Sequence, residues 1–464
     1  MMHYLEKIYP KLPVIMQNLS CSLYGLQERR IRMGSEFKKR YNWLIETDYS
    51  IQDDIICYQN EQLQRIVNHA YSNVPYYKEI MEKEEVNPKD IKSVVDLKKL
   101  PVLKKEDVVN NYKKLIALSY PGNRLKKSKT SGTTGTALKF YLTNESIPFQ
   151  WAVWWRHRAR FSVYPFMKHL NFTGKLVVPI EQVAPPYWRW NIPMNQALIN
   201  MQHLKAENTT ALINFVNNND FKFYSGYPSI IYQFANLLNE NGLELVNKPD
   251  YIFLGAENTQ DYQKKIIQKI TNLKVTDQYG ISEGCANASR CEYDLYHEDW
   301  EFCILECGDK EILPDGSIRG KIIATGFSNY GFPFIRYETG DMAIWAPEDY
   351  RCKCGRDSRV IFKIEGRNED YIITPEGTSI MRFDYLFKDT NTIKEVQVRQ
   401  HKLGSIIIRL VPRPGFTKND QERIRQRVKE LISPKLTVEF EVVDLIPKSA
   451  SGKFRPVVSE VERT

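Results

Sequence analysis

Five short segments concentrate the residues able to do chemistry. The first is Lys129-Thr-Ser-Gly-Thr-Thr-Gly-Thr136, in which the hydroxyls of Ser131, Thr133 and Thr134 are interleaved with Gly132 and Gly135 ahead of a strand. Glycine lets backbone N–H groups turn inward and hydroxyls add donors, so such a loop suits phosphate oxygens. It is not a Walker A loop, because the glycines are too close and no Gly-Lys-Ser/Thr follows. The second, Tyr279-Gly-Ile-Ser-Glu-Gly284, contains a literal Gly-x-Ser-x-Gly elbow at Gly280, Ser282 and Gly284. A hydrolase triad would draw on His401, but no Gly-rich oxyanion segment precedes the motif. The better reading makes Glu283 a metal-holding carboxylate beside a bound nucleotide. The third, Phe334-Ile-Arg-Tyr-Glu-Thr-Gly-Asp341, ends a strand on a carboxylate able to accept two bonds from ribose hydroxyls. The fourth is Ile364-Glu-Gly-Arg-Asn-Glu-Asp370. The fifth is Pro447-Lys-Ser-Ala-Ser-Gly-Lys-Phe-Arg455, a loop whose lysine could reach a distant site.

A separate set has metal-ligand spacing. Cys291 and His297 lie five residues apart, and Cys352-Lys-Cys354 precedes Gly355. Three sulfurs and one imidazole make a tetrahedral Cys₃His set for structural zinc, with no open position for catalysis; the alternative is reduced free thiols in a core. Cys285, Cys303 and Cys307 are alternatives, and Cys21 and Cys57 read as plain core residues.

The elements that must position these groups read as α/β. The 464 residues suggest two to four structural units. Hydrophobic residues make up 42% and charged residues 26%, which excludes a disordered tail, a collagen repeat and a small disulfide scaffold. Net charge is +9 without a long single-sign block, which reads as a solvated basic surface compatible with nucleotides, phosphates or a bilayer surface but does not demand nucleic acid. No apolar run approaches the ~18–20 residues of a membrane span, and the stretch from Met1 to Tyr24 lacks a clean apolar signal region. The expectation is a cytoplasmic protein.

Residues 1–125 read mostly helical. From about 126, strands at 139–142, 176–180, 221–225 and 252–254 alternate with helices at 145–161, 228–240 and 260–271, the signature of an α/β sheet. After about 300 the pattern turns to strands at 304–306, 320–325 and 343–345. A final α+β unit has strands at 406–411 and 437–443 around a helix at 418–431, and the polar stretch 366–370 marks its boundary. This gives a large domain made of a helical N-terminal part at 1–125 and a core with the candidate binding and metal sites at 126–368, followed by a small C-terminal domain at 369–464.

In order and spacing the five segments resemble the adenylate-forming ligases, the acyl-CoA synthetase superfamily. Within it the chain is similar to the phenylacetate–CoA ligase group and its capsular polysaccharide branch. The resemblance runs from about residue 60 to the C-terminus, and the 12–17 start is also similar to that branch. It implies a large N-terminal adenylate-forming domain with mixed sheets and helices plus a small mobile C-terminal α+β lid. It also implies a two-step reaction: a carboxylate attacks the α-phosphate of ATP to give acyl-AMP and pyrophosphate, and a nucleophile then displaces AMP. By position, Ser131, Gly132, Thr133, Thr134 and Gly135 would hold the β- and γ-phosphates, Glu283 would bind Mg²⁺, and Asp341 and Arg367 the ribose. Tyr279 would flank the adenine, with Gly280 and Ser282 of the same turn in the nucleotide set. Gly255-Ala-Glu257 resembles the segment lining the adenine and acyl pockets, with Ala256 between. Lys453 would contact the α-phosphate and carboxylate, and Glu369 stands at the hinge, where the family usually has Asp. Some members of the group hold zinc in a pattern similar to the Cys₃His set.

The acyl and acceptor sides are less marked. Trp151, Trp154, Trp155, Trp188 and Trp190 could wall an acyl site or simply pack, and the 225–228 stretch is a second pocket candidate. After the hinge, CoA-forming members carry an Arg-Gly turn; here the segment is Ile373-Thr-Pro-Glu-Gly-Thr-Ser379. CoA and an amine therefore both stand as acceptors for the carboxylic acid, and the oligomeric state stays open. The rival reading is a catalytically idle nucleotide-binding scaffold on a polysaccharide assembly complex.

Overall fold

The computed structural model describes residues 8–130, 138–367, 372–375, 379–380, 383–387, 392–448 and 454–461. Its centre is one twelve-stranded sheet with two characters. One half runs Arg189–Asn191, Gln196–Asn200, His169–Thr173, Phe223–Gly226, Tyr251–Leu254, Lys274–Gly280, and its last five strands are mutually parallel. The other half continues through Asn287–Arg290, Tyr296–Glu298, Val360–Arg367, Tyr337–Trp345, Ile318–Gly326 and Cys303–Ile312, all antiparallel. The switch falls at the pairing of Lys274–Gly280 with Asn287–Arg290. The turn between them carries Ser282 and Glu283, so that motif sits where the sheet changes direction. In α/β sheets ligands bind outside the carboxyl ends of the parallel strands.

The sequence pattern explains why these elements form. The strands Phe223–Gly226 and Tyr251–Leu254 are short apolar runs buried on both faces, as parallel strands covered by helices must be. The helix Pro228–Glu240 begins on proline, whose fixed φ suits the first turn. It buries Ile230, Ile231, Phe234, Leu237 and Leu238 against that sheet half. The expected strand at 176–180 does not form. That stretch is loop, with Leu176 and Ile180 exposed, and the strand lies earlier at His169–Thr173. The polar His169 and Asn171 mask its alternation, whereas their side chains find partners in Gln196 and Ser225.

The N-terminal helices are not a separate unit. Leu63, Ile66, Val67 and Ala70 of the helix Gln52–Asn73 share one apolar core with Phe302, Ile304, Phe334 and Trp345 of the antiparallel half. The small domain has its own core: strands Thr437–Val442, Ser405–Pro412, Ile393–Lys402 and Val457–Ser459 pack on the helix Lys418–Leu431 through Val398, Ile408, Ile424 and Val428.

The helix Ser146–Ala159 threads between these layers and carries a buried cation. Arg156 is 1% exposed and bonds Glu301 and Asp299, each at 2.6 Å, with Asp48 at 3.6 Å. Asp299 also accepts from Asn287 and Ser289, and Glu301 from Thr47. Removing one member of such a network strands its partners' charges. Arg156→Met is expected to cost roughly 3–5 kcal/mol of stability, read as a fall in the urea midpoint without a change in slope.

Candidate functional site

The hydroxyl-rich loop springs from a pinched base. Leu125–Lys129 and Lys139–Thr143 pair antiparallel. Beyond them the Thr130 N–H donates to the Leu138 carbonyl at 2.9 Å, and the Leu138 N–H to Thr130 Oγ1 at 3.0 Å. Ser131, Gly132, Thr133, Thr134 and Gly135 lie outside the described residues, as do Glu369 and Lys453. The base itself is placed: Thr130 and Leu138 line a cavity of about 110 Å³ together with Glu283, Tyr337, Thr339 and Lys104.

Glu283 is 6% exposed and accepts from the Tyr337 hydroxyl at 3.2 Å. Asp341, on the strand Tyr337–Trp345, accepts from the Tyr279 hydroxyl at 2.8 Å. Burial and the Asp341 charge hold the Tyr279 phenol well above its ordinary value, so it acts as a donor. Asp341 is the register partner of Arg367 on the neighbouring strand, which puts the two candidate ribose groups side by side in backbone position. Gly280 has a steric reason: a Cβ there would lie 2.6 Å from Asn287 Oδ1, the atom that accepts from Trp154 Nε1 at 2.9 Å. Ser282 sits in the same turn.

Gly255-Ala256-Glu257 follows the strand Tyr251–Leu254. The Gly255 N–H bonds the Gly226 carbonyl, and Ala256 has φ +66°, a conformation disfavoured for any residue with a Cβ. Glu257 accepts from the Ser229 amide and hydroxyl, both at 3.0 Å, and from the Phe454 amide at 2.9 Å. Asn258 continues the chain of contacts, donating to the Glu365 carbonyl beside Gly366 and Arg367. Six segments far apart in sequence are thus linked: the base of 131–137, the 279–283 turn, the 337–341 strand, the 365–367 strand end, the 255–258 loop and Phe454.

The candidate metal centre is a second convergence. Cys291, His297, Cys352 and Cys354 are all buried, and their ligand atoms lie within 4.8 Å of one another. Cys291 and Cys352 sulfurs are 3.8 Å apart, and Cys354 Sγ is 3.2 Å from His297 Nε2. Two sulfurs on a tetrahedral zinc with bonds near 2.3 Å are separated by about 3.8 Å, so the set fits that ion. Ser358 Oγ is 3.4 Å from His297 Nδ1, an outer partner able to orient the ring. Cys285 and Cys303 are buried elsewhere and Cys307 is half-buried, none of them in the cluster. Cys57 is exposed, against the expectation of a core residue, because it lies on the solvent side of the helix Gln52–Asn73.

The comparisons with known proteins agree along the whole chain. The family model for the CapK C-terminal domain matches residues 372–460. Protein CapK of Staphylococcus aureus is 28% identical, over 99% of this chain and 100% of that protein. The phenylacetate–coenzyme A ligase of Thermus thermophilus is 22% identical, over 86% of this chain and 95% of its own. The chain is thus similar along its length to CapK and to the phenylacetate–CoA ligases, and its C-terminal part matches the CapK C-terminal domain.

The adenylate-forming fold is matched in 2-hydroxyisobutyryl-CoA ligase. Its postadenylation state superposes with a TM-score of 0.69 at 16% identity, covering 89% of this chain and 91% of that one. Against the same enzyme in its thioesterification and open states the score falls to 0.54 and 0.53.

Several residues at these sites escape sequence reading. Tyr337 lies inside a quoted motif, but nothing in its spacing distinguishes it. Ser229 and the Trp154–Asn287 pair carry no motif signal. Trp188 stacks on Phe215 at 3.8 Å and Trp190 lies against Phe221, so both pack the outer edge of the parallel half. Ser225 is occupied by Asn171 at 2.9 Å.

Proposed function

We propose that this protein is an ATP- and Mg²⁺-dependent carboxylate ligase that forms an acyl-adenylate and passes the acyl group to CoA or an amine. One observation carries the reading. The base of the hydroxyl-rich loop, the buried Glu283 and the Tyr279–Asp341 pair occupy one end of the sheet, where the parallel half stops.

A carboxylate oxygen attacks the α-phosphorus, the bond to the β-phosphate bridging oxygen breaks, and pyrophosphate leaves with the electron pair. Both reactants are anions, so the protein's task is positioning and charge stabilisation. Ser131, Thr133 and Thr134 would donate to the β- and γ-phosphates. Tyr279 holds Asp341 in place for the ribose hydroxyls, with Arg367 beside it. Mg²⁺ would neutralise the triphosphate charge, with Glu283 as its carboxylate ligand and Tyr337 fixing that carboxylate. Gly255, Ala256, Gly280 and Ser282 would form the walls around the base. Similarity to CapK supports a role in surface polysaccharide biosynthesis, with an acid and an acceptor specific to it.

Carboxylate-dependent ATP–pyrophosphate exchange, run with a broad acid panel that includes phenylacetate and 2-hydroxyisobutyrate, tests the reading. Exchange with no acid above the acid-free blank would reject it. Glu283→Gln should raise the Mg²⁺ needed for half-maximal exchange at least roughly tenfold, since even outer partners of metal ligands cost that much. An unchanged Mg²⁺ titration would take Glu283 out of the metal site.

A further inference from the structure

The helix Val14–Arg32 buries its polar face and exposes its apolar one. It covers the open edge of the twelve-stranded sheet, at the strand Arg189–Asn191. An edge strand presents unpaired N–H and C=O groups, so the helix face turned to it is polar. Asn18 Oδ1 accepts from the Trp190 N–H at 2.9 Å. Ser22 Oγ donates to the Trp190 carbonyl at 3.3 Å and accepts from the Ile192 N–H at 3.2 Å. Gln17 accepts from Arg189 Nε at 2.7 Å and donates to the Leu12 carbonyl at 2.9 Å. Gly25 lies where a Cβ would collide with the Asn191 side chain, and the buried Glu28 pairs with Arg32.

The apolar residues therefore face outward. Ile15, Met16, Leu19, Leu23 and Leu26 are between 36% and 79% exposed. At 3.6 residues per turn they fall within one arc of about 100°. Ile192, whose N–H bonds Ser22, extends this stripe on one flank and is 73% exposed. Single exposed apolar residues are ordinary, whereas a contiguous stripe marks a docking surface.

The charge around the stripe says what docks. From Tyr9 to Arg32 the one acid is Glu28, which is buried and paired. Exposed Lys11 precedes the stripe, and exposed Arg29 and Arg30 follow it. Along its other flank, Lys175 Nζ stands 4.7 Å from the ring centroid of the half-exposed Tyr24. A second copy of the chain fits such a surface poorly. Two-fold pairing sets a patch against itself, so cations would meet cations, with no exposed acid on the helix to answer them. A bilayer surface carrying anionic headgroups answers both features, its acyl boundary taking the stripe and its headgroups the flanking cations.

We propose that the helix Val14–Arg32 is an interfacial anchor that seats the protein on an anionic bilayer surface, with Ile15, Leu19 and Leu23 entering the acyl boundary and Lys11, Arg29 and Arg30 meeting headgroups. The inference is independent of the ligase reading, since no residue of the candidate nucleotide site takes part.

Sedimentation with vesicles of equal parts phosphatidylglycerol and phosphatidylcholine, beside vesicles of phosphatidylcholine alone, tests it. At about 0.1 M salt the protein should bind the anionic vesicles at least about tenfold more tightly than the neutral ones, and binding should fall as salt rises to about 0.5 M. Leu19→Ser with Leu23→Ser should weaken binding at least about tenfold. Lys11→Gln with Arg30→Gln should weaken it by about tenfold on the anionic vesicles. All four side chains are exposed, so both double variants should melt with the wild type. If the leucine variant does not fold, the charge variant carries the test.

Equal binding to the two kinds of vesicle, or binding indifferent to both double variants, would overturn the anchor. Absence from the vesicle pellet would overturn it too. In that case a wild-type dimer in sedimentation equilibrium, dissociated by Leu19→Ser with Leu23→Ser, would assign the stripe to a second copy of the chain.

Discussion

Lys453→Ala is expected to abolish carboxylate-dependent pyrophosphate exchange, by about 10²–10³-fold, the usual loss for one group aimed at developing transition-state charge. In free energy this is roughly 3–4 kcal/mol. Carboxylate and triphosphate repel, and negative charge gathers on the α-phosphoryl oxygens as the new bond forms. An ammonium delivered to that point lowers the barrier without binding the ground state more tightly, so kcat falls while KM for ATP moves little. Phe454, the neighbour of Lys453, is bonded to Glu257, and Asn258 next along touches the strand end beside Arg367. That chain of contacts ties Phe454 to the end of the sheet where the strand Val360–Arg367 stops. Lys453→Arg should restore only part of the rate, because a planar fork does not reproduce a point charge. The variant's circular dichroism and melting temperature should match wild type. Exchange at the wild-type rate would remove Lys453 from the mechanism.

The second large effect concerns the Cys₃His cluster. Protein purified without added metal is expected to carry about one equivalent of zinc, and less than about a tenth recovered without chelator would count against a structural site. The ion would join the turn after Asn287–Arg290, the strand Tyr296–Glu298 and the 352–354 loop, three pieces with few apolar contacts of their own. The same loop presents Arg356 to Asp48 at 2.9 Å, and Asp48 also binds Arg160 and faces Arg156. Cys354→Ser, or stripping with a strong chelator, should therefore loosen the antiparallel half together with the helix Ser146–Ala159. A loss of at least about 3 kcal/mol is expected, a fall in melting temperature of roughly 5–10 °C at the sensitivity of a ~200-residue domain. A chelated protein that melts with the untreated one would exclude the structural role.

How much of this was legible beforehand follows from what each signal depends on. The helices at 228–240 and 418–431 were readable to the residue, because apolar spacing, an N-terminal proline or capping threonine, and a polar end coincide there. The strand at His169–Thr173 was not, because its polar residues are satisfied by neighbours that only the sheet supplies. The five motifs could be placed in order from the sequence, and so could the four metal-ligand candidates. Arg156 read as one more helical cation, yet it is the centre of a buried network whose anions come from residues 48, 299 and 301.

The sequence by itself determined which candidate groups are present: a hydroxyl-rich loop of the kind that suits phosphate, carboxylates of the kind that hold a metal or a sugar, a late lysine, and a Cys₃His set. These follow from residue types at short spacing, which the covalent chain fixes. Only the tertiary structure decided which groups meet. Tyr279 on Asp341, Tyr337 on Glu283 and Glu257 on both Ser229 and Phe454 join residues 28 to 197 positions apart. Such pairings depend on the order of strands across the sheet and on where the small domain docks, and no local pattern encodes either.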